Sequence, residues 1–218
     1  MPRIQRTVVS TAVYDAVKEM LFDGTWVPGD RIDRKALAVR LGVSPTPVND
    51  ALHRLTGEGL VESRFRDGFF VPDYSDIDLA DLFAARAGIE GVAARLCAEE
   101  APVEEIERLC ALFDPFVQGI PAKGTGDYLR ADKSFHAGLL AASGSARLRE
   151  VERFFGHVFR SYEHGLVRSP EETLPEHRRI IEALKSRDGQ EAQAAMSDHL
   201  LRSRRALLER AGRISAAQ

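Results

Sequence analysis

Residues 41–55 run LGVSPTPVNDALHRL, and the order of signals in this stretch decides what surrounds it. Gly42 stops one helix and Ser44 is placed to cap the next. Pro45 takes the first helical position and Pro47 lies in the same turn. A missing N–H breaks no intrahelical bond there, so the two prolines mark a helix start. Val48, Leu52 and Leu55 then recur as an inward stripe, while Thr46, Asn49, Asp50 and His53 point the other way. The spacing predicts a helix-turn-helix.

Working outward, Asp33 opens the preceding helix, which runs through Leu37 and Leu41. Before it, Trp26–Asp30 is a turn, and Val13, Val17, Met20 and Leu21 mark a first helix ended by Gly24. Downstream, Leu60-Val61-Glu62-Ser63 and Phe69-Phe70-Val71 predict two strands joined through Arg66-Asp67-Gly68, with Asp-Gly as a hairpin signal. Helix, helix, turn, helix and hairpin is the order of a winged helix-turn-helix. It occupies residues 1–74, with a boundary near Pro72–Ser75.

Residues 75–218 carry only helical patterns, so the fold class is mostly α. Ser75 and Asp78 form a capping box for a helix to about Glu100. Pro102 starts a second helix, ending before Gly119-Ile120-Pro121. The segment KGTGD (123–127) precedes a third, and Gly144 separates it from a fourth at 145–165. Ser169-Pro170 opens a fifth, and Asp188 to Glu191 caps a sixth. There is no internal repeat and no low-complexity tract.

Composition sets the class. At 218 residues, 44% hydrophobic and 29% charged, the chain has the length for two soluble units. Its apolar runs fall short of the roughly 20 residues of a membrane span. The N-terminal MPRIQRTVVS lacks the apolar core of a secretory signal. Cys97 and Cys110 are too few for a disulfide framework or a cysteine zinc site, and read as small buried hydrophobes. A reduced, cytoplasmic protein with no membrane partner is expected. Residues 31–66 hold seven basic and four acidic side chains, a weak electrostatic footprint for DNA.

Polar residues recur on inward faces of the helical half. Leu129, Asp132, His136 and Leu140 share a face of the third helix, with Asp132 and His136 one turn apart and able to share a metal ion. His177 falls with Ile180, Ile181 and Leu184, and His199 with Ala192, Ala195, Met196 and Ala206. One carboxylate and three imidazoles suit a borderline metal such as zinc, nickel, copper or iron. The alternative is four separate core polar residues satisfied by neighbours, although an inward carboxylate is costly unless paired. Leu79, Leu82, Phe83 and Ala93 place Arg86 on a buried stripe, with Glu90 one turn on. Arg86 is either Glu90's helical partner or a cation facing an acidic ligand. His157, Arg160, Tyr162 and His164 lie on or beside the fourth helix, in a phase open between cavity and surface.

These stretches resemble the GntR-type bacterial transcription regulators of the FadR-like group, whose C-terminal ligand-binding domain is called FCD. The likeness is carried by PGDRIDRKALAVRLGVSPTPVNDALHRLTGEGLVE, the DGFFV wing, LFAARAGIEGVAARL, Asp132-x3-His136, EHRRIIEAL and DHL, from about Val8 to Leu208. The resemblance implies a bundle of six to seven helices that senses a small carboxylate or sugar acid, often through a divalent metal. The ligands would be Asp132, His136, His177 and His199, with zinc foremost and nickel or another transition metal as alternatives. Arg86 matches a position that commonly faces the effector. A homodimer on a palindromic double-stranded operator is also implied.

The sequence departs from the family at the opening stretch. The family usually has Ser-Arg-Thr-Pro-Val-Arg-Glu-Ala-Leu there, with both arginines on DNA, where this chain has Pro45, Asn49 and Asp50. Asn49 can read adenine in the major groove, and Thr46 with the helix N-terminus can hold a phosphate. The expected DNA-facing set is Arg34, Lys35, Ser44, Thr46, Asn49, His53, Arg64 and Arg66. The function expected is a ligand-responsive, metal-containing regulator. One alternative is a degenerate sensor that acts through protein partners. The other, a metalloenzyme, lacks HExxH, Glu-x-x-His, GxSxG and P-loop motifs, so no enzyme is expected.

Overall fold

Caps and buried stripes account for most of the elements. The computed structural model describes residues 4–119, 125–155 and 166–213, and the chain divides into two units at Tyr74–Ser75. In the first, α1 (Ile4–Phe22) is followed by β1 (Arg31–Ile32), α2 (Arg34–Leu41), α3 (Pro45–Gly57), β2 (Glu62–Arg64) and β3 (Gly68–Phe70). Asp33 caps α2 by accepting from the Lys35 and Ala36 amides, and Gly42 ends it in the left-handed conformation at φ 65. Val48, Leu52 and Leu55 are fully buried on α3, where they join Val17, Leu37 and Phe69 in one core.

Three details differ from the sequence reading. Ser44 precedes α3, but its side chain makes no cap hydrogen bond. Pro47, at the third helical position, offers no N–H, which removes one of the two donors a cap accepts from. The sheet has three strands in the order β1-β3-β2, since Arg31–Ile32 pairs with Phe70–Phe69. In the wing, Arg64 pairs with Gly68, so the connection is the three residues Phe65, Arg66 and Asp67, and Arg66 takes the left-handed conformation at φ 66. The Asp-Gly pair therefore ends the loop and does not form its centre.

The second unit is built, among the described residues, from α4 (Asp76–Glu100), α5 (Val103–Ala111), a 3-10 turn (Asp114–Phe116), α6 (Thr125–Ala142), α7 (Ala146–Phe155), α8 (Pro170–Lys185) and α9 (Gly189–Arg210). Reciprocal capping boxes start α4 at Ser75 with Asp78, and α8 at Ser169 with Glu172. The helix expected from Pro102 to Gly119 stops at Ala111, because Pro115 has no N–H to donate to the Ala111 carbonyl, and a 3-10 turn follows. Helix α6 starts inside the KGTGD segment, at Thr125. His157, Arg160, Tyr162 and His164 lie outside the described residues. Cys97 and Cys110 are both free and buried, and burial pushes the Cys97 thiol up to about 11, away from nucleophilic chemistry.

Helices α4 and α9 approach closely at Gly91. A Cβ there would collide with Ser197 Oγ, whose hydroxyl donates to the Ala87 carbonyl at 3.0 Å. Gly91→Ala is expected to lower stability by about 1–3 kcal/mol, although alanine is the better helix former. Chemical denaturation checks this, and Ser197→Gly in the same chain should recover part of the loss.

Candidate functional site

Three helices bring the inward polar residues together. Asp132 and His136 lie one turn apart on α6, His177 on α8 and His199 on α9. All four are buried, and one ligand atom from each lies within 4.8 Å of the others. The His136 and His199 rings stack at 5.3 Å between centroids, and His177 and His199 stand 4.5 Å apart. Nε2 of His177 faces Asp132 Oδ1 at 3.3 Å and Nε2 of His136 faces it at 3.8 Å.

Inward faces drift slightly from the sequence reading. On α6 the buried face begins at Tyr128, while Leu129, Ile181 and Ala206 are only half-buried. Each lies at the edge of its helix's apolar stripe, one residue from a fully buried neighbour.

The second nitrogen of each imidazole is engaged elsewhere. His136 Nδ1 meets Glu90 Oε2 in a short contact, and His199 Nδ1 meets Glu176 Oε2 at 2.8 Å. His177 Nδ1 lies 3.1 Å from the Thr173 carbonyl and 2.9 Å from the Tyr128 hydroxyl. A carbonyl can only accept, so His177 carries its proton on Nδ1 and turns a lone pair at Nε2 inward. Burial alone would raise both glutamates. The guanidinium and imidazole beside each outweigh it, holding Glu90 and Glu176 at about 2 as ionised acceptors. His136 and His199 are thereby fixed in the same tautomer. Burial, followed by the neighbouring imidazoles, pushes His177 well below its ordinary value, and burial first lowers His199 too.

This donor set fits a divalent ion. His177 Nε2 is a buried polar atom with no hydrogen-bond partner, aimed at the Asp132 carboxylate. Three inward imidazole nitrogens and one carboxylate match zinc or a neighbouring transition metal, and the Nδ1 partners are those that orient metal-bound histidines.

Arg86 is Glu90's helical partner, the first of the two alternatives left open by the sequence. Its Nε donates to Glu90 Oε1 at 2.6 Å, its guanidinium lies 4.9 Å from the Phe83 ring centre, and it lines a cavity of about 30 Å³ beside Asp132, His136 and His199. The sequence reading missed Arg168, which lines the same cavity, and Glu176, which forms a two-point ion pair with it. It also missed Tyr128, although Tyr128, Asp132 and His136 recur at intervals of four.

Acidification of the metal-free protein should lower stability in two stages. The lowered values of His177 and His199 mean that the unfolded chain takes up protons the folded chain refuses. Their stabilisation is present above the ordinary 6.5 and drains as pH falls through it. The glutamates contribute above 4.5 and lose that contribution toward about 2. Melting midpoints in the presence of a chelator should therefore fall below neutrality and again below the carboxylate range. A midpoint flat from about pH 7 to 5 would contradict the neutral-histidine assignment.

In the winged unit, Lys35, Ser44, Thr46, His53, Arg64 and Arg66 are exposed. Asn49 is half-buried, and its Oδ1 accepts from Arg34 at 3.2 Å. Arg64 makes a two-point pair with Glu62 and lies over Phe70, and His53 packs edge-on against Phe69. The basic side chains thus stand on one helix-turn-helix and its wing, partly held by acidic or aromatic neighbours.

A winged helix-turn-helix followed by a separate helical unit is the architecture of a two-part transcriptional regulator. Residues 9–71 match the gntR family of bacterial regulatory proteins, and residues 81–202 match the FCD domain. The chain belongs to the GntR family, with a C-terminal FCD domain, and is a transcriptional regulator and not an enzyme. It is 29% identical over 85% of both chains to an uncharacterised HTH-type regulator, YdhC, of Bacillus subtilis. It is 26% identical over 91% of its length, and 88% of the relative's, to a probable D-xylose utilisation operon repressor of Paenarthrobacter nicotinovorans. Among solved structures, E. coli McbR/YncC superposes with a TM-score of 0.70 at 22% identity, covering 93% of this chain and 98% of the other, which speaks for the fold.

Proposed function

We propose that this regulator binds operator DNA as a cytoplasmic homodimer through residues 1–74. Its helical unit, residues 75–218, senses a small carboxylic acid through a divalent metal, zinc foremost. The observation that carries this is the convergence of Asp132, His136, His177 and His199 within 4.8 Å, with every outer imidazole nitrogen already engaged. When bound, such an ion offers Lewis-acid positions to carboxylate oxygens. The chain's own part is to hold the histidine tautomers, to exclude water by burial, and to present Arg86 to the same anion. Arg86 and Glu90 ride on α4, which follows the wing after a few residues, so effector binding would act on the helix nearest the linker in sequence. The relative named for a D-xylose utilisation operon supports an effector of sugar origin.

On DNA, Asn49 would read adenine, with Arg34 released from Asn49 Oδ1 because that oxygen must then accept from the base. Pro45 leaves few amides at the start of α3, so Lys35, Arg64 and Arg66 carry the phosphate contacts. Duplex selection from random sequence, followed by fluorescence anisotropy at several salt concentrations, tests this. One selected site should survive physiological salt, and Asn49→Ala should remove roughly 1–3 kcal/mol of discrimination at one base pair. Equal, salt-labile binding to every duplex would favour the second reading, a sensor acting through protein partners, which Pro45 and the occupied Asn49 motivate.

A further inference from the structure

Arg168 stands two residues before α8, with a side chain only 9% exposed. Its two terminal nitrogens clasp Glu176 at 2.8 and 2.5 Å, and Glu176 in turn receives His199 Nδ1 at 2.8 Å. The same guanidinium donates to the His199 backbone carbonyl at 3.0 Å and to Ser203 Oγ at 3.2 Å. One side chain therefore fixes His199 at both its ring and its backbone. Across the cluster, Arg86, Glu90 and His136 repeat this order of guanidinium, carboxylate and imidazole. Both guanidiniums line the one cavity.

We propose that Arg168 is a positioning residue for the metal centre, holding Glu176 so that His199 keeps its Nε2 aimed at Asp132, His136 and His177. This rests on the metal reading above. Without Arg168, the guanidinium left beside Glu176 among the described residues is that of Arg202, at 3.1 Å on a side chain 62% exposed. A long exposed arginine is held weakly against solvent, so Glu176 and the His199 ring would gain freedom. Orientation of a metal-bound histidine through its outer nitrogen typically carries 10–100-fold in affinity.

The test compares the full-length wild type, Arg168→Gln, Arg168→Lys and the double variant Arg168→Gln with Glu176→Gln. The double variant replaces the ion pair by two neutral amides and keeps the test alive if the single change disturbs folding. Zn²⁺ affinity is read by competition with a chromogenic chelator, and the Co²⁺-loaded protein supplies a visible spectrum that reports the ligand field. Arg168→Gln and the double variant should bind Zn²⁺ about 10–100-fold more weakly with an altered Co²⁺ spectrum, and Arg168→Lys should recover part of the loss. A folded Arg168→Gln or double variant with wild-type affinity and spectrum would overturn the assignment. Wild type that takes up no Zn²⁺ would instead overturn the metal reading, and this inference with it.

Discussion

Glu90→Ala should destabilise the helical unit by about 3–5 kcal/mol, the cost of removing one partner of a buried ion pair. Glu90 is fully buried and Arg86 is 2% exposed, so the guanidinium would lose its Glu90 contact at a buried site. His136 would lose the acceptor of its Nδ1 in the same change. Burial of the carboxylate is itself unfavourable, and Arg86 with His136 offsets it far enough to hold Glu90 at about 2. The pair is therefore costly to break, while its net worth against an apolar pair is small. Arg86→Met combined with Glu90→Leu should accordingly be more stable than Glu90→Ala alone, while removing the cation proposed to face the effector. Urea denaturation followed by far-ultraviolet circular dichroism measures both. A loss below about 1 kcal/mol for Glu90→Ala would mean that water or a rearranged side chain reaches Arg86.

His177→Phe should separate metal binding from folding. The His177 ring stacks on Phe113 at 4.5 Å and sits among Tyr128 and Phe135, so phenylalanine keeps these contacts. It discards the unsatisfied Nε2, and Tyr128 keeps its hydrogen bond to Thr173 Oγ1 at 2.8 Å. The metal-free variant should melt at or above the wild-type temperature. Zn²⁺ affinity should fall by more than the roughly 10–100-fold that losing an outer-shell partner costs, because a ligand itself is gone. Isothermal titration calorimetry alongside thermal melts checks the pair of results. Retained Zn²⁺ affinity would exclude His177 from the ligand set.

How much of this was legible in the sequence follows from where each signal resides. Caps and helical stripes are local, so the winged helix-turn-helix and most of the helical unit could be read from Asp33, Gly42, Pro45, Ser75, Ser169 and Asp188. Strand β1 could not, since Arg31–Ile32 is a strand only through its pairing with Phe69 and Phe70. The break after Ala111 was present in Asp114-Pro115 but hidden by a continuous apolar pattern on either side. Asp132, His136, His177 and His199 share one legible property, a polar residue on an apolar helical face, and the fold brings them together. Glu176 and Arg168 had no such mark. Glu176 flanks an inward position, and Arg168 lies in a connection without periodicity, so their role emerges only when α8 and α9 pack.

The central claim is that these four side chains form one metal centre, and X-ray absorption of the Zn²⁺-loaded full chain addresses it most directly. The account predicts one equivalent of zinc with three imidazole nitrogens and oxygen completing the shell, at about 2.0–2.2 Å, and its loss in His177→Phe. Sulfur in the first shell, fewer than three imidazoles, or an unchanged spectrum in that variant would contradict it.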